Sequence, residues 1–95
     1  MAALDLLGRR WALRIMWELR EGPRGFRALQ ADCDGMSSSV LRDRLRELVE
    51  AVVVERTDDD TYALSALGQE LAEALAPLTG WSQRWAKAVA RRQSS

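Results

Sequence analysis

Residues 37–65 read SSSVLRDRLRELVEAVVVERTDDDTYALS, and the change of period inside this stretch decides the fold. Ser37, Ser38 and Ser39 offer N-cap oxygens, and behind them Leu41, Leu45, Leu48 and Val49 recur at i, i+4, i+7 and i+8, the spacing of one helix face. That helix cannot continue into Val52, Val53 and Val54, a β-branched run of poor helix propensity followed by Glu55 and Arg56, so a strand is expected from about Val52 to Arg56. Thr57, Asp58, Asp59 and Asp60 then form a turn. Thr61 to Leu64 make the return strand of a short hairpin.

Upstream, Leu4, Leu7, Trp11, Ile15 and Leu19 recur at three and four, with Ala12 and Met16 widening the stripe, which predicts a first helix from Leu4 to Arg20. Gly22 is expected to end it in the left-handed conformation, ahead of Pro23, which cannot continue a helix. Phe26, Leu29 and Cys33 mark a second helix of about two turns, closed by Asp34-Gly35. Downstream, Ser65 caps a helix through Leu67, Leu71, Leu75 and Leu78, which Pro77 and Gly80 should kink or break before Trp81, Trp85, Ala88 and Val89 resume the stripe. A two-stranded ribbon is unstable alone and must lie on the helices. The expected fold class is therefore mostly α with a small β-hairpin: a winged helix-turn-helix with an additional C-terminal helix. Its helix-turn-helix spans about 26–50, its wing about 52–64 and its C-terminal helices about 65–92, in a single domain.

The composition narrows the chemistry. The chain has 95 residues, 14 basic against 14 acidic, with one Cys and no His. A chain this short buries only about 60–65% of its unfolded surface, so its core is marginal and a partner copy would help. No apolar run approaches the ~18 residues of a membrane span, and MAALDLLGRRW reaches charge too early for a secretory leader, so a cytoplasmic protein without membrane contact is expected. One Cys makes no internal disulfide, and the absence of His removes the usual zinc sets and imidazole-based triads. The three consecutive Asp residues fall short of a calcium loop, which needs six or more spaced oxygens. No catalytic residue, metal ligand or cofactor is assigned, and an enzyme is not expected.

Neutrality is a sum of unlike segments. Residues 1–46 carry nine Arg against six acids, a net +3; residues 47–80 carry one Arg against eight acids, a net −7; residues 81–95 carry four bases. Thirteen of the 14 bases are Arg, which a GC-rich genome produces and which phosphate or guanine recognition also favours. The positive charge is expected near the second and third helices, and the Asp-rich wing is the side nucleic acid should avoid.

The stretch GRRWALRIMWELREGPRGFRAL at 8–29 resembles the opening of the HxlR-type branch of MarR-like winged-helix regulators. Gly35-Met36-Ser37, Leu41, Arg44-Leu45, Glu47-Leu48, Glu55-Arg56, Tyr62-x-Leu64-Ser65, Leu67-Gly68 and Leu71 follow in that family's order and spacing, and Trp81 is similar to its late Trp. The resemblance covers roughly Gly8 to Ala88. It implies a bacterial, homodimeric, sequence-specific transcriptional regulator of double-stranded DNA, with the helix of about Ser38–Glu50 in the major groove, the hairpin as a wing and room for a small-molecule effector. Four features depart from the family, one of them the wing, longer and usually less acidic in relatives and here cut to Asp58-Asp59-Asp60. Val52 stands where it commonly has Gly, so the turn there must avoid positive φ or be strained. Gly25 replaces a basic residue, and the N-terminal reactive Cys of redox-sensing members has no counterpart.

Within that frame a 100° step per residue puts Ser39, Asp43, Arg46, Glu47 and Glu50 opposite Leu41, with Val40 and Arg42 on the flanks. The DNA-contact candidates are Ser37, Ser38 and Ser39 for phosphate or base edges, Val40 for a thymine methyl, and Arg42 and Arg46 for guanine or phosphate. Arg24 and Arg27 are candidate phosphate clamps at the start of the second helix, with Arg56 at the hairpin base as a further one. Asp43 is read as a local ion-pair partner, and Cys33 as a buried apolar residue rather than a redox switch. Leu4, Leu7, Trp11, Trp81, Trp85 and Val89 are the candidate dimer interface, because terminal helices carrying so many exposed aromatics would otherwise leave a large apolar patch. The competing reading is a winged-helix dimerisation or protein-interaction module with little or no DNA binding, which the acidic wing and zero net charge favour.

Overall fold

The structure, a computed structural model, describes residues 11–94. Among them the order is α1 (Ala12–Glu18), α2 (Phe26–Asp32), α3 (Ser38–Glu50), β1 (Val54–Arg56), β2 (Tyr62–Leu64) and α4 (Ala66–Ser94). This is the winged helix-turn-helix layout expected from the period change at 37–65. Ile15 and Leu19 from the first helical segment meet Leu29 and Cys33 from the second, Leu41, Leu45 and Leu48 from α3, and Val54 from the hairpin, all fully buried in one core. From α4 the buried Gly68 lies against Val53 and Leu64, and Leu71, Ala72 and Leu75 pack onto the core as partly buried residues.

The first helix differs from its expected span. Leu4 and Leu7 lie outside the described residues, and Trp11 sits at φ 80, so α1 begins only at Ala12. At the other end the Leu19 N–H is shared between the Ile15 and Met16 carbonyls, tightening the last turn. Gly22 adopts φ 142, open to glycine but not the left-handed cap expected of it. The chain can thereby run extended into Arg24, whose backbone exchanges two hydrogen bonds with Tyr62, N to O at 2.9 Å and O from N at 2.8 Å. No local pattern announced this bridge, which ties the entry of α2 to the wing.

The turn between α2 and α3 is built by Asp34 and Gly35, both at positive φ, with the Gly35 N–H reaching the Gln30 carbonyl at 2.9 Å. Ser37 caps α3, its hydroxyl accepting from the Val40 N–H at 3.4 Å. Leu41, Leu45 and Leu48 are buried as expected, whereas Val49 is exposed, because it lies 80° around the helix from Leu41 and falls off the edge of the stripe. At the end of α3 the Val52 N–H bonds the Val49 carbonyl and the Val53 N–H bonds the Leu48 carbonyl, both at 3.0 Å. This is a Schellman ending with Val52 in the left-handed position at φ 64. The strained alternative is thus the one adopted, and β1 starts at Val54 rather than Val52.

The two strands pair antiparallel, Val54 with Leu64, Glu55 with Ala63 and Arg56 with Tyr62. Thr61, expected in the return strand, instead closes the loop: its carbonyl accepts from Thr57 N at 2.8 Å and the two Thr hydroxyls lie 2.7 Å apart. Ser65 then caps α4 by accepting from the Gly68 N–H at 2.9 Å. The break expected at Pro77 and Gly80 does not occur, and α4 runs 29 residues as one helix. Proline removes one intrahelical hydrogen bond. Here Glu73 and Pro77 are exposed, so water can serve the carbonyl one turn back. About 43 Å of helix results, and much of its second half extends past the core.

A β-branched residue held at φ 64 carries about 1–2 kcal/mol of backbone strain, and Val52 is 58% exposed, so little packing compensates. Val52→Gly is expected to relieve it, offset in part by the greater chain entropy of glycine, for a net gain of about 1 kcal/mol. Thermal unfolding should show the midpoint rising by roughly 4–8 °C; an unchanged or lower midpoint would refute the strain.

Candidate nucleic-acid interface

The outward side of the helix-turn-helix is organised by what α3 buries. With Leu41, Leu45 and Leu48 inward, Ser38, Ser39, Arg42, Asp43, Arg46 and Glu50 are exposed and Val40 and Glu47 are half-buried. Ser37 is exposed, but its hydroxyl is engaged as the cap and lies 2.9 Å from that of Ser39. The Arg42 guanidinium lies over the Phe26 ring, 5.3 Å from its centroid, so the first residue of α2 braces an arginine in the first half of α3. Arg46 is loosely paired with Asp43 at 3.7 Å, both more than half exposed. That contact gives Asp43 the ion-pair role read from the sequence. Arg27 is exposed on α2.

Two of the expected phosphate ligands are already engaged. Arg24 donates Nε to Asp32 Oδ2 at 2.9 Å and Nη2 to the same oxygen. Arg56 donates Nε to Asp60 Oδ1 at 2.8 Å, again with Nη2 on the same oxygen. In both, the hydrogen bond to the carboxylate and its negative charge hold the guanidinium protonation even more firmly than usual. Arg24 precedes α2 and Asp32 ends it, while Arg56 and Asp60 face each other across the hairpin loop, so neither pair lies along one helix or one strand.

Other side chains that the sequence reading passed over complete the region. Phe26, Arg42, Arg56, Asp60 and Tyr62 line a shallow pocket of about 290 Å³ where α2, α3 and the hairpin converge. Behind it, Arg14 of α1 bonds Glu18 at 3.0 Å, Asp34 at 3.3 Å and the Asp32 carbonyl at 2.5 Å, pinning α1 to the helix-turn-helix turn. Arg44, half-buried, pairs with Glu47 at 3.1 Å. Among the described residues no group of His, Cys, Asp and Glu has the arrangement to hold a metal ion, and no helix is long and apolar enough to cross a membrane.

The candidate interface residues divide. Trp11 is half-buried against the core of its own chain, whereas Trp81 and Trp85 are 51% and 57% exposed and stacked, with centroids 5.9 Å apart and planes 7° from parallel. Leu67, Leu78 and Val89, also exposed, fall within the same helical stripe of α4. A separate apolar groove runs between α1 and α4, lined by Leu13, Met16, Trp17, Ala72, Leu75 and Leu78 among others.

A family model described as HxlR-like helix-turn-helix matches residues 6–90. The chain is 33% identical over 89 residues to the HTH-type transcriptional regulator YvaP of Bacillus subtilis strain 168, spanning 87% of this chain and 82% of YvaP. It superposes on the structure of quinone-bound YodB from B. subtilis with a TM-score of 0.80 at 30% identity, covering 87% of this chain and 93% of that one. A protein of the MarR family from Enterococcus faecalis V583 superposes equally well, TM-score 0.80 at 32% identity, covering 95% of this chain and 87% of that one.

Cys33 is fully buried in the core. Burial pushes its thiol pKa up, and Glu18, Asp32 and Asp34 add to the rise against the lowering effect of Arg14. The native protein at pH 8 is therefore expected to resist iodoacetamide, while the same protein unfolded in guanidinium reacts fully; rapid labelling of the native state, read by intact mass, would contradict this placement.

Proposed function

The chain belongs to the HxlR-like helix-turn-helix family of DNA-binding transcriptional regulators, and we propose that it acts as a cytoplasmic homodimer that lays α3 in the major groove of a pseudopalindromic site. The observation that carries this reading is the outward side of α3, where Ser39 and Arg46 stand opposite the buried leucines, Val40 and Arg42 flank them and Ser38 is exposed in the first turn, with Arg42 braced on Phe26. Arg42 and Arg46 are suited to guanine or phosphate, the serines to phosphate or base edges, and Val40 to a thymine methyl. Arg27, exposed on α2, is suited to clamp a phosphate, since this helix crosses the backbone in such docking. Arg24 takes a lesser part, because Asp32 already occupies its donor edge.

The dimer reading rests on α4. Its second half is held by little of the core, and the stacked Trp81 and Trp85 with Leu67, Leu78 and Val89 form an apolar stripe too large to leave in water. Two such copies would read half-sites about one DNA turn apart, as helix-turn-helix dimers do. A small-molecule effector would find its room in the apolar groove between α1 and α4. The protein-interaction reading keeps one specific support, the acidic wing tip whose neighbouring Arg56 is already neutralised by Asp60.

Fluorescence anisotropy against a random duplex at low salt separates the two readings. The parent is expected to bind in the micromolar range, and Arg42→Ala to weaken it by about 1–3 kcal/mol and to flatten the log–log salt slope by about 0.9 per protomer. No binding by the parent would favour the interaction module, whereas identical binding by the variant would overturn the place of Arg42 in the contact. Sedimentation velocity tests the dimer: the parent should sediment as a dimer and the Trp81→Ala, Trp85→Ala double variant as a folded monomer, whereas a monomeric parent would end this assignment.

A further inference from the structure

The pocket between α2, α3 and the hairpin holds two arginines, Arg42 and Arg56, and one carboxylate, Asp60. Arg42 lies over the Phe26 ring at 5.3 Å, and Arg56 lies 5.9 Å from the Tyr62 centroid. Both guanidinium groups line one pocket, and each has an aromatic ring to orient it. The hairpin side of the pocket is fixed by main chain, through the Arg24–Tyr62 bridge and the Arg56–Tyr62 register pair. The Nε and Nη2 edge of Arg56, the fork that grips a phosphate, is instead spent on Asp60 Oδ1.

We propose that this pocket is a seat for one backbone phosphate of duplex DNA, and that the carboxylate of Asp60 occupies the place of that phosphate on Arg56 and so sets the affinity of the wing. This rests on the DNA-binding reading above and adds to it a competing residue that acts through Arg56. The exchange is physically easy. Arg56 and Asp60 are 61% and 74% exposed, so their ion pair is formed in water and is weak, and an entering phosphodiester, a monoanion like the carboxylate but backed by the field of its neighbouring phosphates, can displace it. The backbone at Asp60 is held independently of its carboxylate: its N–H bonds the Thr57 carbonyl at 3.1 Å, and Thr57 and Thr61 close the loop through two further hydrogen bonds. Displacement therefore needs only a side-chain rotation, with the hairpin unchanged. Asp58 and Asp59 sit at the tip without a cation contact of this kind among the described residues, and they keep the tip itself away from the minor groove.

The position also supplies a clean variant. Asp60 has φ 60, a conformation asparagine tolerates as well as aspartate, so Asp60→Asn removes the charge while leaving the turn intact. Binding to a labelled random 24-base-pair duplex at low salt should tighten about three- to tenfold in D60N, by the arithmetic of one stronger phosphate contact per protomer, and clearly more than in D58N, which reports the general effect of losing one wing charge. In the R56A background the gain from D60N should shrink to the D58N level, since the competition needs Arg56. Matching unfolding midpoints for the parent and every variant establish that folding is not being read. Equal gains in D60N and D58N, or a D60N gain that persists in full in the R56A background, would overturn the role of Asp60 while leaving DNA binding intact. Absence of binding by both the parent and D60N would overturn the DNA-binding reading and this proposal with it.

Discussion

The carbonyl of Val53 is where three elements of this fold are locked together. It accepts from the Ser65 N–H at 3.0 Å and from the Ser65 hydroxyl at 3.1 Å, while the same hydroxyl reaches the Val52 carbonyl at 2.5 Å. Ser65 Oγ in turn receives the Gly68 N–H, so one side chain caps α4 and ties it to the end of α3. Gly68 is required there: a Cβ would lie 2.0 Å from the Val53 oxygen, a clash with backbone that no side-chain rotation relieves. The hairpin leaves and returns through this junction, which is why three-residue strands suffice. Val52 can be held at positive φ because its N–H and carbonyl, and both backbone groups of Val53, are bonded on either side of it.

Much of this was legible in the residues. The serine cap, the Leu41–Leu45–Leu48 stripe, the valine run and the Asp-rich turn are local signals, each read within a few residues, and they placed α3 and the hairpin to within two positions. Errors arose where a specific backbone partner or the solvent, rather than propensity, decided. Val52 reads as strand by propensity, but the Schellman bonds to Leu48 and Val49 claim it. Pro77 reads as a break, yet on the exposed side of a long helix it removes one bond that water replaces. The Arg24–Tyr62 bridge joins residues 38 apart and has no periodic signature.

The interface was legible in outline and not in detail, for an electrostatic reason. Residue type and helical step identify which arginines can face a groove, as with Arg42 and Arg46, because the helix fixes their direction. They do not say which arginines already have an anion. Asp32 on Arg24 and Asp60 on Arg56 are found only once turns bring them together, and each converts a candidate phosphate ligand into a pre-formed neutral pair. The aromatic supports, Phe26 and Tyr62, were invisible for the same reason, since their value lies in what stands over them.

This pairing resolves the charge problem. A chain with 14 bases and 14 acids has no excess positive charge to offer a polyanion, so attraction must come from where the acids are spent. Glu18 and Asp34 are used on Arg14, Glu21 on Arg20, Asp32 on Arg24, Glu47 on Arg44 and Asp60 on Arg56. Arg42 is held by a ring, Arg46 keeps only a loose contact with Asp43, and Arg27 stands exposed on α2. Within the helix-turn-helix, Arg27, Arg42 and Arg46 are therefore the arginines without a close carboxylate partner, and they share the exposed side of α3 with Asp43 and Glu50. A neutral protein arranged this way should attract DNA weakly and over a short range, which makes its affinity unusually sensitive to a single carboxylate placed beside that face.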